Sequence, residues 1–139
     1  MAGSFTDYLE GAALGHVFGG TTLTPASKQY VALFTTQPGD DGTNGVEVTG
    51  DGYARVEVDN NTTTWNTPAG ASPTTVTNKI PFTFATATAS WGTVTSFGIY
   101  DDTAITKKLL CSGSLTSEQS VPSGVTLSFP AGNVSITLA

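Results

Sequence analysis

Apolar and polar positions change period once along the chain. Before Gly20, Phe5, Leu9, Ala12, Ala13 and Val17 recur at helical spacing, which predicts a helix from about Phe5 to Val17. Ser4-Phe5-Thr6-Asp7 has the form of a capping box with Asp in place of Glu. Asp7 and Glu10 fall near the positive end of the helix dipole, and His16 near the negative end. Gly11 and Gly15 each weaken the helix by about 1 kcal/mol, and Gly19-Gly20 end it. So short a helix is marginal alone, so it must dock on its own domain or on a neighbour.

After Thr24-Pro25 the period falls to two. Tyr30 to Thr36 is apolar on both faces, so this strand is central or covered. Gln37 to Gly52 is a polar loop with Asn44-Gly45 as a tight turn. From Tyr53 to Val58, alternation predicts a strand with one buried face. Asn60 to Asn78 is a long polar segment that holds Trp65; it contains an edge segment, packs through Trp65, or makes contacts.

Ile80, Phe82 and Phe84 alternate next, and Val94 to Tyr100 reads as the central strand from which the others pair outward. Thr93, Thr95, Phe97 and Ile99 should share one face of it, and Val94, Ser96, Gly98 and Tyr100 the other. Leu109 to Leu115, Val125 to Phe129 and Val134 to Leu138 complete the set, the last two joined by a Pro130-Ala131-Gly132 hairpin connection. About seven or eight strands with closely spaced turns indicate an all-β, two-sheet antiparallel sandwich of jelly-roll type, with a short N-terminal helix. Its core should join Trp91, Phe97 and Ile99 to Phe82, Phe84, Leu127 and Phe129.

With 139 residues the chain suits one domain, divided into a helix and connecting arm (1–24) and a sandwich (25–139). Charged residues make up 12%, about half the usual share, so Thr and Ser must cover the surface. The net charge of −6 excludes a nucleic-acid partner, because phosphate contacts need clustered Lys and Arg. Lys107-Lys108 is the lone adjacent basic pair and reads as a solvated turn. Cys111 is the single cysteine and lies in an apolar run, as a buried inert thiol does. The N-terminus lacks the pattern of a signal peptide and no apolar stretch is long enough to span a bilayer, so synthesis in a host cytoplasm without membrane association is expected.

Candidate chemistry is sparse. His16 is the one histidine, and no nucleophile motif surrounds any Ser or Cys111, so it reads as a helix C-terminal cation. One His and one Cys do not make a zinc site. Asp40-Asp41-Gly42-Thr43-Asn44-Gly45 with Asp51 loosely echoes a calcium loop, but an acidic turn explains it as well. Asp101-Asp102 reads as a turn in the same way. Asn60-Asn61-Thr62, Asn61-Thr62-Thr63 and Asn133-Val134-Ser135 match glycosylation sequons that stay silent without secretion. Trp65 could stack on a sugar, though a tryptophan more commonly packs. No cofactor is expected.

Five stretches in succession carry a resemblance: Ser4-Phe5-Thr6-Asp7-Tyr8-Leu9-Glu10, His16-Val17-Phe18-Gly19-Gly20-Thr21, Tyr30-Val31-Ala32-Leu33-Phe34-Thr35, Gly52-Tyr53-Ala54-Arg55-Val56, and Trp91-Gly92-Thr93-Val94 with Phe97-Gly98-Ile99-Tyr100-Asp101. In this the chain resembles a family of small structural proteins of tailed bacteriophages, often labelled tail-fibre or minor tail proteins. Gly11 and Gly15 depart from the bulkier, more polar helix expected there.

The resemblance implies a virion component without catalysis. A compact sandwich with no repetitive shaft suits a capsid decoration, or cement, protein on the capsid surface. It would bridge copies of the major capsid protein and associate with itself as a dimer or trimer. The alternative is a tail-fibre or tail-tip protein that binds host-surface glycan. The attachment residues expected are Phe5, Tyr8, Leu9, His16, Val17 and Phe18 of the arm, with Trp65.

Overall fold

A computed structural model describes residues 1–101 and 108–138. Asp102 and Lys107, read from the sequence as parts of turns, lie outside the described residues. The elements run β1 (Ala2–Phe5), α1 (Asp7–Phe18), β2 (Lys28–Thr36), β3 (Val46–Glu47), β4 (Val56–Asp59), β5 (Thr74–Thr77), β6 (Phe82–Thr83), β7 (Gly92–Tyr100), β8 (Leu109–Val121), β9 (Ser128–Phe129) and β10 (Ser135–Leu138). Together they form a two-sheet, mainly antiparallel β-sandwich with one short N-terminal helix. That helix is not long and apolar enough to cross a membrane.

The strand order β3-β2-β7-β8-β1-β10-β5 puts β7 between β2 and β8, as expected of the central strand. β3 and β4 both pair with β2, one towards each of its ends. β1 turns the corner between the sheets, as strands at sandwich corners do. Its Ala2 and Gly3 run parallel to Ser135 and Ile136 of β10, while Ser4 and Phe5 run antiparallel to Ser112 and Cys111 of β8. A short ribbon of β6 and β9 pairs Phe82 with Phe129.

The main core holds every residue the alternation assigned to it: Trp91, Phe97, Ile99, Phe82, Phe84, Leu127 and Phe129 are buried in one cluster. The other face of the central sheet buries Ala32, Phe34, Tyr100 and Leu109, which is why β2 is apolar on both sides.

Four local expectations change. Phe5 belongs to β1, so the helix starts at Asp7 and no capping box forms. Thr6 is the N-cap residue, and its Oγ1 donates instead to the Leu109 carbonyl at 2.5 Å. Ala2–Phe5, read from the sequence as part of the arm, is therefore a strand of the sandwich.

The pairing of β7 with β8 slips between Val94 and Ser96, and this bulge swings Val94 into the same core as Phe97 and Ile99. The strand expected from Tyr53 begins at Val56, because Tyr53 and Arg55 are committed elsewhere, as described below. Pro130-Ala131-Gly132 is not a hairpin: β9 pairs with β6, and β10 with β1 and β5. Fully buried Asn78 holds this crossing. Its Nδ2 donates to the Pro130 and Ile80 carbonyls, and its Oδ1 accepts from the Val134 amide.

Candidate attachment surface

The helix α1 rests on β8 and β1 and ends at Gly19, whose amide bonds to the Gly15 carbonyl. Gly20 follows at φ 68°, a conformation open to glycine, and turns the chain back. His16 Nδ1 accepts the Leu23 amide at 3.2 Å, which ties the returning chain to the helix end.

Apolar side chains surround this helix. Leu9 faces the sandwich, with Ala12 and Ala13 partly covered. Leu14, Val17 and Phe18 point outward and are 61%, 67% and 82% exposed. No residue of α1 is buried. A helix that is apolar all round belongs in an interior, and here the interior is missing.

Beside the helix an apolar cleft of about 460 Å³ opens into the sandwich. Leu9 and Phe5 line one side, Trp65 and Pro68 the other, and Ile99, Cys111 and Ile136 are among the residues of the lining. Asn60, Asn61, Asn66 and Gln29 add amides to it. Several of these are already engaged: Asn60 Nδ2 donates to the Ala26 carbonyl, Asn66 Nδ2 to Thr77 Oγ1, and Gln29 Oε1 accepts Trp65 Nε1 at 2.8 Å. The Trp65 ring meets Phe82 edge-on at 5.4 Å. The long polar segment thus contains an edge strand, β5, and packs through Trp65. Burial pushes the Cys111 thiol up to about 12, so it is inert at neutral pH.

The expected attachment residues therefore divide. Phe5, Leu9 and Trp65 line the cleft; Val17 and Phe18 stand on the outer face of α1. His16 is exposed at the helix end. Tyr8 is 40% exposed on another flank, with Lys108 Nζ 5.4 Å from its ring centre. The reading from sequence missed Leu14, since it matched the periodicity of a single face. The apolar residues off that face were the available signal.

The remaining motifs serve the fold. Arg55 grips Glu47 with two bonds, Nε to Oε1 at 2.8 Å and Nη2 to Oε2 at 2.7 Å, and its guanidinium stacks on the Tyr100 ring at 3.8 Å. Tyr53 OH donates to Glu47 Oε1 and accepts the Leu33 amide. This network seals the gap between β3 and β4 along β2. In the acidic loop, the Thr43 amide and hydroxyl bond to Asp41 and hold its carboxyl below the usual range. These are the contacts of a polar turn.

A small sandwich with an unburied apolar helix and no assembled catalytic group has the build of an assembly protein. A family model described as podophage GP4 fiber I protein gp80 matches residues 4–137. The chain belongs to that family and is a phage virion structural protein. No curated protein matches it.

Proposed function

We propose that the chain is a non-enzymatic fibre subunit, anchored on the virion through the outer face of α1 and associated with further copies of itself. The observation that carries this reading is the helix that is apolar all round yet buries no residue. The fibre in the family's description favours this location over the shell. The absence of a repetitive shaft from the sequence favours a second reading, a capsid decoration protein that bridges copies of the major capsid protein. Both readings use the same helix. A glycan would have to reach Trp65 through the cleft, since one edge of that ring is spent on Phe82.

The test is assembly of particles with Phe18→Asp protein. Because Phe18 is exposed, the variant should fold with an unchanged melting temperature, yet be depleted from purified particles by mass spectrometry. Normal incorporation would remove α1 from the attachment surface. Particle reconstructions with the unaltered protein separate the two locations, by density confined to the tail region or spread over the shell.

A further inference from the structure

The apolar end of α1 and the apolar cleft are two unfilled halves of one contact. We propose that the cleft of each copy receives the Leu14–Phe18 end of α1 from a second copy, joining the chains head to tail in a closed ring. This rests on the reading of α1 as an attachment element and names its partner.

Charge selects these surfaces. At −6 the molecules repel one another, so they meet most readily where neither side carries charge. Residues 11–27 include no Asp, Glu, Lys or Arg, and no charged residue lines the cleft. A protein helix end suits the lining better than a sugar does, because the walls are apolar and the nearby amides are largely engaged.

The helix cannot fill the cleft of its own chain in this arrangement. Phe18 stands nine residues beyond Leu9, about half a turn around the helix, and Leu9 is the side chain that faces the cleft. Gly11, next to the exposed face, has nothing within 4 Å of the space a Cβ would occupy, which leaves room for a neighbouring wall.

Area then decides between a dimer and a ring. Phe18 contributes roughly 150–250 Å², and the whole contact covers roughly 600 Å², about half the lower bound for a stable interface. A single head-to-tail contact is too small. A closed ring gives every copy two, one through its helix and one through its cleft.

The experiment places the photo-reactive residue p-benzoylphenylalanine at position 18 of the full chain, a close substitute for an exposed phenylalanine. Sedimentation velocity measures association, and mass spectrometry maps the cross-links. The expected products join position 18 of one copy to the segment 60–68 or to Val76 of another. Phe18→Asp should move the association midpoint about tenfold or more to higher concentration. Cross-links between residues 11–18 of different copies would mean that helix packs on helix, and would overturn the proposal. So would a chain that stays monomeric at every concentration. Incorporation into particles is a separate readout. A monomeric protein whose incorporation still depends on Phe18 would overturn the ring and leave attachment through α1 intact.

Discussion

Phe97 is fully buried on the central strand, with its ring 6.3 Å from that of Phe129. Phe97→Ala leaves a cavity that rigid sheet neighbours cannot close, so it should cost about 3–5 kcal/mol in chemical denaturation. A loss under about 1 kcal/mol would mean that the two sheets do not pack as described here. Residues of this kind were legible in the sequence, because alternation on β6, β7 and β9 puts their large side chains on one face. Val94 was not, since one bulge reverses the face of everything beyond it. Asn78 was not legible either: its value lies in bonds to Pro130 and Val134, which no local pattern announces.

At the scale of elements, the long strands β2, β7 and β8 were readable from composition, whereas β1, β3 and β5 are short and polar. Their state is set by the partners they pair with. β1 makes the most difference. It lies so close to β8 that a Cβ at Gly113 would come within 2.1 Å of the Ala2 carbonyl oxygen, a contact that backbone cannot yield without moving. Gly113→Ala should therefore push β1 off β8 and destabilise the protein by about 1–3 kcal/mol. Amide exchange should speed up first at Thr6, whose N–H bonds to the Leu110 carbonyl. Unchanged protection at Thr6 would show that β1 is not held in this register. The same closeness explains why the N-terminal segment is a strand followed by a helix, and not an arm throughout. The attachment surface was half legible for the same reason. Its aromatic and aliphatic residues stood out, but only the fold shows which of them face the cleft and which face outward.

The whole molecule is acidic and buries weak acids in their neutral form, and the two properties meet at high pH. Burial raises the Cys111 thiol from an ordinary 9.0 to about 12, and it also raises Tyr53 and Tyr100 above their ordinary 10.0. Below about pH 9 the folded and unfolded chains both keep these protons, so the groups add no pH dependence. Above it the unfolded chain releases them first and binds fewer protons than the native one, so stability falls as pH rises towards 12. Each group that has lost its proton only in the unfolded state steepens the fall by about 1.4 kcal/mol per pH unit. Growing negative charge on a molecule already at −6 acts in the same direction. Urea midpoints should therefore be level between about pH 7 and 8.5 and drop steadily beyond about pH 9. Cys111→Ala should lower stability at neutral pH through the lost sulfur contacts, yet show a shallower alkaline slope, because one of the three acids is gone. If the slope were the same with and without Cys111, the thiol would be ionising at its ordinary value in the folded state. The floor of the cleft would then be wet, and an apolar helix end would gain little by entering it.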